Sequence, residues 1–408
     1  MKIMYFEKTK NYMINAGRII DNGGFCATGC DQGGTLYVEE NRIAAVTSRN
    51  EAYSFSRVDY AAVEIDLGGL TILPPLIDCH VHLALDGVDF SAALKRWDNP
   101  EELDHIIEGQ LRDTLNCGVL AVRDGGDRRG IARQAKSRCS APLIKSPVHA
   151  LRKPETYGAF LGRGTLLPET GNVLDHLVML GADHVKVIVS GVVSFKEYGK
   201  VGPVQYTLGE LAQIVHGAHR RGLKVMAHAS SDEAVSLSIA AGVDTIEHGY
   251  FLSDDSLSKL AEKRIPWIPT VIPVAAQLHN PAAGGNNRLN RYVIEKTVER
   301  QLAMINKAPG LGVMLGVGTD AGAGGVRHGY GFHQELELYR NAGLSNSQIL
   351  QSATLNGANI LNLGWGRIQP GRPAAFIAVA GNPLDNLAAL KRVQYAFLPG
   401  QSPPDNSQ

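Results

Sequence analysis

The chain has 408 residues, 44% of them hydrophobic and 20% charged, with 40 Lys plus Arg against 40 Asp plus Glu. That length is more than one core usually serves unless the core is a large barrel. The balanced charge gives no electrostatic reason to expect a nucleic acid or an anionic membrane as partner, so a small-molecule substrate is the default. No apolar run reaches the roughly 18 residues that a membrane span needs. The first residues, MKIMYFEKTKNYMINAGRII, lack the continuous apolar stretch of a secretory signal. Of the five cysteines, Cys26, Cys30, Cys79, Cys117 and Cys139, no spacing suggests a disulfide framework. Cys26 and Cys30 have the spacing of half a metal site, but no second pair completes it. These features fit a cytoplasmic protein and leave open whether it forms a homo-oligomer.

Residues 13 to about 68 read as short strands separated by turns. The segments are Met13–Ile20, Thr35–Val38, Arg42–Val46 and Val63–Asp66, punctuated by Asn22-Gly23-Gly24, Gly33-Gly34 and Glu40-Asn41. After Pro74-Pro75 short apolar segments alternate with stretches of helical period. Strands are expected near Leu76–Leu83, Val119–Arg123, Leu143–His149, Val185–Ser190, Lys224–His228, Thr245–His248, Trp267–Val271 and Val313–Thr319. Helices are expected over Glu102–Leu115, Leu208–Arg220, Ser256–Lys263 and Arg291–Ala308. Gly118, Gly181, Gly222 and Gly242 each precede a strand, where a helix C-cap glycine belongs.

Eight strands alternating with helices predict an α/β fold, a (β/α)8 TIM-type barrel. An open doubly wound sheet is disfavoured, because no phosphate-binding glycine fingerprint follows the first strand. From Gly364 the chain returns to β texture, with strands at Ala375–Ala380 and Val393–Leu398. The N- and C-terminal segments are therefore expected to form a small β-sandwich (1–70 and 364–408) beside a catalytic barrel (71–363). Residues 279–288 read as a loop and 400–408 as a frayed tail.

Metal ligation needs imidazoles, carboxylates or thiolates aimed at one spot, and in a barrel that spot lies at the C-terminal strand ends. The first strand ends in Asp78-Cys79-His80-Val81-His82. Alternation sends His80 and His82 the same way and Cys79 the other. The fifth strand ends in His228 and the sixth in His248. A lone histidine at such a position is more often a satisfied core residue, but two on consecutive strands beside the His80 pair favour ligation. The eighth ends in Asp320, costly after an apolar run unless paired, and read here as a ligand that also accepts the proton of the attacking water. The fourth strand carries Lys186 at its apolar centre. That lysine is either a buried amine bonded to a carboxylate or a carbamate made with CO2 that bridges two metals.

These segments resemble the amidohydrolase superfamily, and within it the prolidase-like and imidazolonepropionase-like branch. The likeness runs through TILPPLIDCHVH, GVLAVRDGG, GADHVKVIVSG, RRGLKVMAHA, AGVDTIEHG, GVGTDAG and HQELELYRNAGLSNSQILQSATLNGANIL, then GRIQPGRPAAFIAVAGNPLDNL. It covers nearly the whole chain in order. It implies two divalent metal ions, usually zinc, held by His80, His82, N-carboxylated Lys186, His228, His248 and Asp320. It also implies a hydrolase of carbon–nitrogen bonds acting on Xaa-Pro-like dipeptides or N-acyl amino acids. Pro75 replaces the glycine usual in the entry motif. Ser190-Gly191-Val192 stands for the usual Ser-Gly-Gly, so that loop is expected to be shaped differently. Ala374-Ala375-Phe376 lacks an aspartate common at that place.

Substrate groups are sought in loops after the strands. His149 and Tyr157 could donate to an oxyanion and Arg152 could bind a carboxylate through its planar fork. Tyr198 and His328 are further candidates. A solvated basic loop is an equal reading of residues 149–158. The alternatives are a one-metal cyclic-amide hydrolase or deaminase, which Lys186 argues against, a lactonase, and a non-catalytic scaffold. The retention of every ligand type argues against the scaffold.

Overall fold

The computed structural model describes residues 1–21, 25–26, 33–48, 51, 53–56, 61–279 and 290–400. The Asn22-Gly23-Gly24 turn, Cys30, residues 280–288 of the expected loop and residues 401–408 of the expected tail lie outside them. The strands in chain order are β1 (Lys2–Phe6), β2 (Lys10–Ala16), β3 (Arg18–Asp21), β4 (Phe25–Cys26), β5 (Gly34–Glu39) and β6 (Arg42–Ser48). Next come β7 (Ala61–Asp66), β8 (Thr71–Leu73), β9 (Leu76–Val81), β10 (Val119–Asp124), β11 (Leu143–Lys145) and β12 (Ala150–Leu151). The last six are β13 (Val185–Ile188), β14 (Val225–Ala229), β15 (Thr245–His248), β16 (Trp267–Ile268), β17 (Phe376–Val379) and β18 (Val393–Pro399).

By spatial proximity of its backbone the chain divides into two compact units. The first comprises Met1–Ile77, Leu115–Leu120 and Ser345–Gln408. It holds a sheet ordered β6-β5-β2-β7 and another ordered β1-β18-β17-β8-β3-β4. In β2 the side chains of Tyr12, Ile14 and Ala16 share the buried face, the period of two that one covered sheet face produces. They pool with Leu36 and Ile43 from the same sheet, and with Phe6, Ile72, Phe376 and Phe397 from the other, in one apolar cluster. β1 pairs in parallel with β18, so both chain ends feed one sheet. The expected Met13–Ile20 strand is two strands broken at Gly17. A Cβ there would lie 2.8 Å from Gly69 Cα, so the chains cross too closely for any side chain,.

The second unit, Asp78–Thr114 and Ala121–Leu344, carries parallel strands with helices between them. Its ladders run β9-β10-β11 and β12-β13-β14-β15-β16. Every residue of β13, β14 and β15 is buried, as strands covered on both faces must be,. The helices lie close to their expected spans, among them Leu208–His219, Asp254–Lys263 and Arg291–Leu311. Local signals explain the first two. Thr207 and Glu210 form a reciprocal capping box, and Ser253 accepts from Ser256 N,. Among the described residues no helix is long and apolar enough to cross a membrane.

Two expected strands differ. Leu143–His149 is interrupted: β11 pairs with β10, β12 pairs with β13, and between them Val148 has φ 67°. Val313–Thr319 forms no strand at all. It meets a neighbouring strand at a single parallel bridge, Trp267 with Leu315, and a second such bridge, Val81 with Ala321, follows just beyond it. A Cβ on its Gly318 would lie 2.3 Å from Ile268 Cγ2 and 2.9 Å from His80 Cβ. The segment trades ladder regularity for close approach to the residues beside it. The sheets are therefore not closed into one ladder.

Candidate active site

Parallel strands deliver their C-terminal ends to one edge, and the second unit's polar side chains gather there. His80 and His82 leave the end of β9 with ring centroids 5.4 Å apart. Asp320 lies beside them, its Oδ1 3.2 Å from His82 Nε2 and 3.6 Å from His80 Nε2. One donor atom from each of the three falls within 4.8 Å of the others. Lys186, fully buried in β13, brings Nζ within 3.3 Å of His80 Nε2 and makes no ion pair with a carboxylate among the described residues. His248 completes the group, 5.0 Å from His80 and 4.4 Å from His228 between ring centroids. The structure thus brings all six expected ligand candidates together.

A buried scaffold orients them. Glu247 Oε2 lies 2.8 Å from His80 Nδ1, while its Oε1 accepts from Arg123 at 2.8 Å and from Thr245 Oγ1 at 2.6 Å. Thr270 Oγ1 lies 2.7 Å from His248 Nδ1. Asp78 accepts from Thr319 Oγ1 at 2.7 Å and from the backbone N–H of His80 at 3.2 Å. At His80 the contact spends Nδ1 and leaves Nε2 facing Lys186 and Asp320, the usual support of a ligand shell,. Three of these residues sit at positive φ: His248 at 70°, Asp320 at 53° and Thr270 at 50°. That conformation costs on the order of 1 kcal/mol each and persists where the surroundings over-determine it.

Electrostatics favours ligation. Burial pushes His80 and His248 well below the ordinary histidine range, and His228 down to about 3, with Lys186 lowering His80 and His228 further. Imidazoles held neutral are the metal-binding form. Burial likewise lowers the Lys186 amine to about 8, Glu247 and Asp320 opposing it. At Asp320 burial raises the carboxyl, but the His82 hydrogen bond and the neighbouring His80, His82 and Lys186 outweigh it and hold it at about 2. Nitrogen and carboxylate donors at this spacing suit a divalent cation such as zinc. His80 and His82 both turn Nε2 toward Asp320 Oδ1, at 3.6 and 3.2 Å, a buried convergent set of lone pairs of the kind a cation occupies,. The residues fit a metal.

The cluster opens on a cavity of about 920 Å³ lined by His82, Lys186, His228, His248 and Asp320 at its base. Leu85, Val88, Phe90, Phe160, Val193, Phe195 and Tyr250 form much of its wall. Of the expected substrate residues, Tyr157 lines it, 5.7 Å from the His228 ring. The other four are not among its lining residues. Arg152 donates to the carbonyls of Gly162, Lys153 and Thr156. His149 lies against Asp127 O at 3.3 Å, and His328 against Leu85 O at 2.9 Å. Tyr198 is half-exposed and meets Phe251 edge-on.

Sequence reasoning passed over Glu247, Arg123, Thr270 and Ser230. Arg123 carries the signal that singled out Lys186, a cation inside an apolar strand. Glu247 follows as its required partner. Ser230 lines the cavity, fully buried, and its Oγ has no partner among the described residues; no sequence signal marks it.

Parallel strands whose ends gather histidines, a lysine and an aspartate beside one cavity define a candidate metal centre on a mixed α/β scaffold. The profile of the amidohydrolase family matches residues 71–401, and the chain belongs to that family. An uncharacterized protein of Mycobacterium tuberculosis is 26% identical over 349 residues, covering 84% of each chain. The imidazolonepropionase of Deinococcus deserti is 24% identical over 385 residues, 86% of this chain and 87% of its own. The crystal structure of a Xaa-Pro dipeptidase with methionine bound in its active site superposes with a TM-score of 0.76 at 24% identity, over 95% of this chain and 98% of that one.

Proposed function

We propose that the chain is a binuclear metal-dependent amidohydrolase that cleaves an amide bond in a small molecule. In this reading β9 to β16, with β11 and β12 as pieces of one interrupted strand, and the bridged Val313–Thr319 segment make up one (β/α)8 barrel spanning 71–363, with 1–70 and 364–408 as its β-sandwich. His80, His82, His228, His248, Asp320 and N-carboxylated Lys186 hold two divalent ions, zinc by preference. Divalent cations held there would supply Lewis acidity toward the amide carbonyl and toward water. The observation that carries the reading is the convergence of six side chains, five at the base of one cavity and His80 buried against Lys186 and His248.

The chain's own residues then have separate tasks. Glu247 and Thr270 fix the His80 and His248 rings. Lys186, lowered to about 8, has a substantial neutral fraction near neutral pH and so can react with CO2,. Asp320 takes a proton from the attacking water and returns it to the departing nitrogen. The apolar wall excludes bulk water.

Dipeptides are supported by the Xaa-Pro dipeptidase likeness, and N-acyl amino acids share their amide bond and carboxylate. Cyclic-amide hydrolysis is the second reading, supported by the imidazolonepropionase relative and opposed by Lys186, which a one-metal site does not need. The experiment is amine release from an amide library by protein reconstituted with zinc and bicarbonate, with metal content measured alongside. Turnover that disappears in His228→Ala supports the reading. Silence across linear amides, with turnover of a cyclic one, moves it to the second.

A further inference from the structure

The cavity wall bears on what flanks the scissile amide. Two apolar clusters reach the base of the cavity. In one, Phe90 meets Phe160 edge-on at 5.1 Å, Phe160 meets Tyr157 at 6.1 Å, and Tyr157 lies 5.7 Å from His228. In the other, Val193, Val274 and Phe195 pack with Tyr250, whose ring stacks on His248 at 5.6 Å. Since His228 and His248 are 4.4 Å apart, each cluster ends on a different member of one adjacent pair. A molecule seated on that pair has an apolar surface beside each histidine.

The rim repeats the pattern. Val88, Phe90 and Val192 line the cavity yet remain 66%, 48% and 46% exposed. Large apolar side chains gathered in water around a concave site mark a surface that an apolar ligand covers. Charge points the same way. Apart from its histidines, the charged residues of the lining among the described residues are Lys186 and Asp320 at the base and Asp89 at the rim. Asp89 is held in place by accepting from Ala92 N at 2.9 Å. At the rim, away from the base where cations would be held, a substrate carboxylate meets the carboxylate of Asp89. Arg152, the cation that the sequence suggested for a carboxylate, is outside the lining and committed to three backbone carbonyls.

Building on the amide-hydrolase reading, and setting aside its dipeptide and N-acyl amino acid substrates, we infer that the site takes neutral amides with a bulky apolar group, aromatic or branched, on both sides of the bond. It discriminates against substrates with a free carboxylate. Hydrolysis breaks the carbon–nitrogen bond. The oxygen and one hydrogen of water finish on the acyl carbon as a carboxyl group, and the other hydrogen finishes on the amine.

The test compares N-benzyl-2-phenylacetamide with N-(phenylacetyl)phenylglycine, which differ by one carboxylate, on the zinc-reconstituted full chain. The neutral compound should have the higher kcat/KM by about tenfold or more. Val192→Arg, which adds a cation at an exposed rim position, should shrink that ratio. Equal or better turnover of the carboxylate compound overturns the inference and leaves amide hydrolysis standing. If neither is hydrolysed, calorimetry with both decides. About tenfold tighter binding of the neutral compound sustains the inference while hydrolysis fails. Equal binding, stronger binding of the carboxylate compound, or no binding of either overturns it.

Discussion

His80 Nδ1 and Glu247 Oε2 are 2.8 Å apart, and both side chains are wholly shielded from solvent. The same carboxylate accepts from Arg123 and Thr245. One acidic residue thus fixes a ring of the cluster and also neutralises a buried guanidinium.

Glu247→Gln should therefore weaken metal binding by about 10- to 100-fold, the usual cost of losing an outer-shell carboxylate. It should also destabilise the fold by roughly 3 to 5 kcal/mol, because Arg123 would be buried unpaired. Competition with a chelator and urea unfolding of the metal-free protein measure the two separately. Unchanged metal affinity would show that Glu247 serves Arg123 alone.

Lys186→Ala removes the amine whose N-carboxylation would help hold two ions. Metal content should fall from about two per chain to one or fewer, and amide turnover should fall with it. Bicarbonate should stimulate metal-free wild type during reconstitution and leave the variant unaffected. Full metal content in the variant would dispose of the bridging role.

Glu335 is buried, and burial raises its carboxyl from the ordinary 4.5 to about 8, although the backbone N–H groups of Val271 and Ile272 oppose the shift. A raised acid holds its proton more tightly folded than unfolded. Its stabilising contribution is complete below about pH 4.5 and is lost as pH rises through about 8,. The whole effect is on the order of a few kcal/mol. Urea unfolding at about pH 5, 7 and 9 should show that decline, and Glu335→Gln should flatten it. A wild-type stability that rises across this window would contradict the assignment.

Ser230 buries a hydroxyl without a partner among the described residues. Ser230→Ala should leave the melting temperature unchanged or slightly raised, because an unsatisfied buried group is lost. The same change should raise KM if the hydroxyl meets substrate. A clear drop in stability would indicate a structural bond instead.

Much of this site is legible in one sequence, for a physical reason. A histidine or lysine inside an apolar strand needs a partner, and alternation tells which residues share a face, so His80, His82, Lys186, His228 and His248 announce themselves. Asp320 does so through the apolar run that it ends. The loops are less legible. Arg152 looks free in sequence, and only folding brings Gly162 and Thr156 carbonyls to its guanidinium. Val313–Thr319 has strand composition, yet its glycines let it approach His80 without forming a ladder. Partners such as Glu247 and Thr270 are set by which strands lie side by side, and spacing along the chain does not encode that.

The central claim is most directly tested by the rate of amide hydrolysis of Asp320→Asn against wild type at matched, measured metal content. Asparagine keeps the shape and one donor oxygen but cannot accept the proton. A loss of about 10²- to 10⁴-fold in kcat with metal retained is the predicted result. Near wild-type turnover would contradict the account.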